Sequence, residues 1–188
     1  MGRHKEFDVE KTLDKALDVF WKKGFADTSM TDLEEATGLK KPSLYLAFGD
    51  KDGLFLASLN RYLDSFDATR VLLRHPLGWH NIENLFRAIA RNPSKRGCFA
   101  SISLREKEIL PKESNKCIQS YFARVRQAYA ENISAEGYKD ASAIVELLQS
   151  FQLGMVLSKS LSSEKDQSEA VDRFLEIVGS GIKRNSKD

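Results

Sequence analysis

The sequence predicts an all-α fold, and three observations carry that prediction. Apolar residues recur at three- and four-residue spacing through most of the chain, only four prolines interrupt it, and runs of β-branched residues are few. The helices divide into an N-terminal helix-turn-helix unit of three helices, over residues 1–52, and a helical C-terminal domain over 53–188, with about nine helices in all.

The first helix is expected from about Asp8 to Lys23. It carries Val9, Leu13, Ala16, Leu17 and Phe20 on one face and stops at Gly24. The second begins at Ser29, a good N-cap whose partner three residues on, Asp32, completes a capping-box pair. Met30, Leu33 and Ala36 form its apolar face. Gly38 then supplies the left-handed residue at which a helix ends. Leu39 fills the angle before a third helix, whose first turn accommodates Pro42 because the missing N–H has no helical partner there. Leu44 and Phe48 turn inward, which leaves Lys40, Lys41, Ser43 and Tyr45 facing out. Asp50 caps the next helix and puts Lys51 in its first turn.

A long fourth helix is predicted from about Gly53 to Leu73, ended by His75-Pro76-Leu77-Gly78. Further helices are expected near 79–91, 98–109, 111–135, 139–160 and 165–183, with a polar tail from Lys183. The last two carry broad apolar faces, including Ile144, Leu147, Leu148, Phe151, Met155 and Leu161 on one and Val171, Phe174, Leu175, Ile177, Val178 and Ile182 on the other. Gly154, Gly179 and Gly181 would permit close helix approach. Such faces serve either an intrachain core or a helical interface with a second copy.

Two short helices around a glycine turn, the second opening with lysines and a proline, suit a helix laid into a DNA major groove. The stretch resembles the DNA-binding domain of TetR-like (tetracycline-repressor-like) transcriptional regulators. The resemblance rests on Gly24-Phe25, Thr28-Ser29, Leu33, Gly38-Leu39, Leu44-Tyr45, Phe48 and Lys51-Asp52-Gly53-Leu54, and it covers about the first third of the chain. Two positions depart from the family's pattern. Glu34 stands where a small residue is usual, and Ala47 stands where His or Tyr often contacts phosphate, so no contact is carried over to Ala47.

The resemblance implies a dimeric, DNA-binding repressor that holds a palindromic double-stranded operator and is released by a small-molecule ligand. The dimer would form through the last two helices. Two recognition helices about 34–36 Å apart would read successive major grooves. Expected DNA contacts are Lys40 and Lys41 to guanine edges or phosphates, Pro42 and Ser43 beside them, and Tyr45 to sugar or phosphate. Thr28 and Ser29 would meet phosphate at a helix start, and Lys51 another phosphate. Arg3, on the N-terminal arm, would enter the minor groove. Each has a plain alternative: a solvated charge for the lysines, core packing for Tyr45, an unstructured terminus for Arg3.

Charge supports this only through placement. The net charge is +2, and residues 1–63 hold ten Lys/Arg against eleven Asp/Glu. The basic residues Arg3, Lys5, Lys22, Lys23, Lys40, Lys41 and Lys51 nevertheless gather in the segments that would meet DNA.

Aromatic and polar residues of the C-terminal domain, namely Phe66, Trp79, Phe86, Phe99, Ser103, Cys117, Tyr121, Phe122 and Phe151, are the ligand-pocket candidates, with ordinary core as the simpler reading of each. Cys98 and Cys117, with His75 and His80, leave a thiol- or metal-responsive regulator as an alternative. Their loose spacing favours inert thiols, and no metal site or cofactor is expected. A non-regulatory DNA-binding structural protein is the other alternative, disfavoured by the large second domain. Catalysis is not expected, because no phosphate loop, nucleophile elbow or H-E-x-x-H pair is present. With 41% hydrophobic and 30% charged residues and no apolar run of membrane-spanning length, a cytoplasmic protein is expected. The Asn132-Ile133-Ser134 sequon is then read as chance.

Overall fold

The protein's structure, a computed structural model, describes residues 7–138 and 141–185, with side chains described up to Ser180. Among these residues the regular structure is helical and no strand occurs. The α-helices are α1 (Val9–Lys23), α2 (Met30–Thr37), α3 (Lys41–Phe48), α4 (Lys51–Ser65), α5 (Thr69–Leu72), α6 (Trp79–Arg91), α7 (Phe99–Ser103), α8 (Lys112–Ala135), α9 (Ser142–Leu157) and α10 (Glu164–Asn185). Short 3-10 turns lie at Leu104–Glu106 and Ser158–Ser160. The helices gather into two compact units, Met1–Phe66 with Ile102–Ile118, and Asp67–Ser101 with Gln119–Asp188. The helix-turn-helix stretch lies wholly within the first, which also takes in α4.

In the first unit α1 packs on α4 and α2, and α3 on α2 and α4. Phe20, Phe25 and Phe55 form its centre, with ring centroids 5.0 Å apart for Phe20–Phe55 and 5.1 Å for Phe25–Phe55, both edge-on. Leu33, Leu44, Leu54 and Leu59 fill the remaining core and are almost wholly buried. Arg61 on α4 reaches Asp14 and Glu10 on α1, which fixes the rotation of the two helices about their apolar seam. Gly53 allows the tightest approach, since a Cβ there would fall 2.0 Å from the Phe48 carbonyl oxygen.

In the second unit α6 packs against α10, α5 and α9. Its core includes Phe86, Tyr129, Ile82, Ile133, Leu148 and Val171. Phe151 and Phe174 stack with centroids 3.7 Å apart, and Phe86 sits 5.5 Å from the first and 5.6 Å from the second. A buried amide pair anchors the α5–α6 connection. Asn132, wholly buried, donates to the carbonyls of Leu72 (2.7 Å) and Ala128 (2.8 Å) and accepts from Gly78 N–H (2.9 Å) and Asn81 (3.1 Å). The sequon asparagine therefore serves as a structural knot. Lys159, also buried, donates to the carbonyls of Ile89 (2.9 Å) and Ala90 (2.8 Å) and to Gln167 (3.0 Å), closing the C-terminal end of α6. Burial disfavours its charged form and lowers its pKa.

The helix expected over 53–73 is two helices. Ser65 bonds back to the Arg61 carbonyl, α4 ends at Phe66, and the Asp67 carboxylate takes both the N–H and the hydroxyl of Thr69 to start α5. Short polar side chains have captured the backbone where apolar spacing alone would continue the helix. The helix expected over 98–109 is likewise only α7 and the 3-10 turn at 104–106, because Asn115 takes the carbonyls of Lys107 and Leu110 and folds the chain back. The expected start of the next-to-last helix at 139 lies outside the described residues, as do residues 186–188 of the polar tail and the side chains of Gly181 and Ile182.

Candidate nucleic-acid interface

The site grows from α2, a glycine turn and α3. Ser29 caps α2 as its sequence suggests: its hydroxyl accepts from Asp32 N–H at 3.1 Å, and Asp32 accepts from Ser29 N–H at 2.8 Å. Lys23 adds a second partner to the Asp32 carboxylate. Together the Lys23 hydrogen bond, the largest influence, and those from Ser29 hold the Asp32 pKa down at about 2. Gly38 ends α2 in the left-handed region with φ 76°. Thr37 stays buried and bonds to the Leu33 carbonyl. Leu44 is buried and Phe48 half-buried, so α3 is pinned by one face.

The opposite face is open. Lys40, Lys41, Pro42, Ser43, Tyr45, Leu46 and Ala47 are all exposed. Among the described residues neither lysine makes a side-chain ion pair, and both side chains are exposed at the start of α3. Leu46 was not anticipated by apolar spacing, yet it is 72% exposed, a large aliphatic side chain displayed where burial would be expected. Its signal was present in the sequence as an apolar residue out of phase with Leu44 and Phe48.

Glu34, the first departure, has a role. Lys40 gives α3 no side-chain cap, and the Glu34 carboxylate accepts the Lys41 backbone N–H at 2.7 Å instead. A negative group at a helix N-terminus is favoured by the free N–H groups and the dipole. It also occupies an amide that could otherwise meet a phosphate.

Two of the expected contacts stand differently. The side chain of Thr28 is turned inward, 1% exposed, with its hydroxyl on the Gly24 carbonyl at 2.5 Å. Lys51 spends its ammonium on the carbonyls of Phe25 (2.9 Å) and Thr28 (3.1 Å) and lies 4.3 Å above the Phe25 ring. Thr28 closes the α1–α2 turn on itself, and Lys51 reaches that turn from α4, a tertiary arrangement that helix-start rules do not reveal. Arg3 and Lys5 lie outside the described residues.

The pocket candidates fall in both units. In the first, Phe66 is exposed, Ser103 buried, and Cys117 half-buried with its thiol donating to Asn60 at 3.3 Å. In the second, Phe86, Phe99 and Tyr121 are core residues, and Phe151 joins Phe86 through the stacked aromatic cluster. Tyr121 lies 5.3 Å from Phe122, and its hydroxyl pKa is raised by burial and then by the neighbouring Cys98. Trp79 is half-buried, and a Cβ on Gly179 would come within 3.3 Å of its indole nitrogen, so Gly179 makes room for that ring. Among the described residues, no group of three or more His, Cys, Asp or Glu is placed to hold a metal ion. No described helix is long and apolar enough to cross a membrane.

Comparison with known proteins agrees with this geometry. Residues 13–58 match the family model "Bacterial regulatory proteins, tetR family". Over 67 residues the chain is 54% identical to the HTH-type transcriptional repressor ComR of Escherichia coli K12, a match covering 36% of this chain and 32% of that one. The chain thus covers about a third of the length of that relative. The repressor BdcR of the same organism is 25% identical over 157 residues, covering 82% of this chain and 80% of its own. Among solved structures, a cysteine mutant of the TetR family regulator CifR bound to a 26-base-pair operator duplex is similar, with TM-score 0.75, 26% identity and coverage of 93% and 98%. Its likeness spans both units, whereas the family model covers only residues 13–58 of the first, from within α1 into α4. Residues 13–58 of the N-terminal unit thus match a tetR-family DNA-binding domain, and the chain as a whole is similar in fold to a TetR family regulator.

Proposed function

We propose that the chain acts as a dimeric repressor that holds a palindromic operator through α3 and is released by a small-molecule ligand of its C-terminal domain, in the cytoplasm and without catalysis. The carrying observation is the open face of α3, where two lysines without side-chain ion pairs, a serine, a tyrosine and a leucine stand on a helix pinned by Leu44 behind. Lys41 and Ser43 suit base edges or phosphates, Tyr45 a sugar or phosphate, and Leu46 with Pro42 a thymine methyl. Lys40 suits a phosphate. Ser29 remains exposed for one, and Arg3 is retained as an arm contact.

Dimerisation finds support in α9, α10 and the turn between them. Leu147, Leu157, Leu161 and Ile177 are 48%, 54%, 88% and 63% exposed, and Gly154 beside them is open. Two copies would bury these faces together and double the bases read. For the ligand, the aromatic residues of the second unit, Tyr121, Phe122 and Phe151 among them, are the candidate lining.

The test is selection of duplexes from a random pool, followed by anisotropy titration of the winner. A palindromic consensus bound by two chains supports the reading. Recovery of unrelated sequences at uniform affinity would leave a non-regulatory DNA binder. A thermal-shift screen of small molecules, with hits checked for operator release, tests the effector. A thiol-responsive form of the same regulator is the second reading, favoured because the similar CifR structure is a cysteine mutant and Cys98 and Cys117 of this chain form no disulfide. Peroxide should then release operator from the wild type but not from Cys98→Ser; equal release from both would remove Cys98 from consideration.

A further inference from the structure

The turn between α1 and α2 is held by groups from far along the chain. The N–H of Phe25 donates to Oε2 of Glu106 at 2.7 Å, and the N–H of Ala26 donates to Oε1 at 2.9 Å. One carboxylate thus takes two consecutive amides, one on each oxygen. Lys51 takes the opposite polarity of the same turn, the carbonyls of Phe25 and Thr28. Hydrogen bonds to charged partners are roughly twice as strong as neutral ones, so this short turn is clamped from both sides. Gly24 makes the approach feasible: its φ is +85°, and a Cβ there would lie 2.8 Å from Oε2 of Glu106.

Glu106 belongs to the 102–118 segment, which the chain enters from the second unit and leaves back into it. That segment is also folded on itself. Ile109 and Leu110 N–H groups bond to the Glu106 carbonyl, Leu110 is buried, and Asn115 holds the carbonyls of Lys107 and Leu110. The hold continues onward to α3. The clamped turn leads straight into the cap of α2, and α2 in turn caps α3 through Glu34. Every link from Glu106 to the open face of α3 is a hydrogen bond or a helix.

We propose that Glu106 is a positioning residue for operator binding, through which the 102–118 segment sets the register of α2 and α3. While its carboxylate holds the Phe25 and Ala26 amides, the recognition helix keeps its binding orientation; when the segment withdraws, that orientation relaxes and affinity falls. The proposal rests on the DNA-binding reading above.

Glu106→Gln tests it, because the amide keeps the volume but offers one acceptor where the carboxylate offers two. Glu108→Gln, an exposed neighbour, is the control. Amide exchange at Phe25 and Ala26 is measured on DNA-free protein, and affinity for the wild-type-selected duplex at two salt concentrations well below the melting temperature. Exchange at those two amides should rise about tenfold with α1 unaffected. The operator Kd should rise several-fold with the salt slope unchanged, since no phosphate contact is removed. Glu106→Asp, which keeps the charge and shortens the reach, should fall between, and it carries the same test should the glutamine variant fold poorly. Unchanged exchange, or raised exchange with wild-type affinity, overturns the proposal, the second by showing a clamp that is structural only. If the wild type selects no duplex, the DNA-binding reading itself fails and the coupling with it.

Discussion

Glu34 and Ala47 are the residues at which the recognition motif departs from its family pattern, and they act in different ways. Glu34 replaces a missing side-chain cap on α3. Ala47 leaves open surface beside Leu46, so this part of the helix offers methyl and methylene groups rather than hydrogen-bond donors. Leu46→Ala should weaken operator binding several-fold, and replacing thymine by uracil in the selected duplex should reproduce the loss without adding to it, measured by anisotropy. Lys41→Ala and Tyr45→Ala should also weaken binding several-fold while the chain stays dimeric by sedimentation. Asp32 provides a pH test. Its folded pKa of about 2 lies below the ordinary 3.8, so its contribution is complete above the ordinary value and is lost as pH falls from about 3.8 toward 2. Carboxyl-detected NMR titration should find that low midpoint, and Lys23→Ala should move it upward. The Ser29–Asp32 box was legible because both partners sit within one turn. The engaged Lys51 was not, because its partners are brought close only by packing, and Thr28 turns inward onto the Gly24 carbonyl four residues back instead of capping α2.

At the scale of elements, spacing found where helices lie better than where they stop. The expected bounds of α1, α6 and α8 match the structure within a residue or two, since each has a strong apolar stripe and a clear Gly, Asn or Pro boundary. The α4–α5 break and the 104–106 turn escaped, because single side chains such as Asp67 and Asn115 redirect the backbone against a continuing apolar pattern. Lys159 is a comparable case: its sequence context suggests a surface lysine, and it is the buried closure of α6. Lys159→Met keeps the aliphatic stem and removes the donor. Leaving the carbonyls of Ile89 and Ala90 unpaired should cost about 1–3 kcal/mol of stability in urea denaturation, with little effect on operator affinity in the folded protein.

For the whole molecule, function needs two copies if a palindrome is to be read. Ile177→Arg or Leu147→Arg, each placing a charge on an exposed apolar position, should shift the chain toward monomer in sedimentation while the helical circular-dichroism signal persists. Operator affinity should then fall far more than from any single α3 substitution. The helix-turn-helix was readable because its motif is short and contiguous, whereas the proposed ligand lining draws on residues scattered between 66 and 151 whose burial is set only by packing. The buried Asn132 carries a consequence of another kind. Its Asn-Ile-Ser triplet is a substrate for oligosaccharide transfer only in a chain that has not yet folded, because the native side chain spends its amide on Leu72 and Ala128. Produced through a eukaryotic secretory route, the protein would carry sugar only on molecules caught before α8 closed over the α5–α6 connection, and those molecules could never complete the knot. Glycan occupancy would thus count misfolded chains, and Asn132→Gln would not cure the yield, since it removes the sugar and the anchor together.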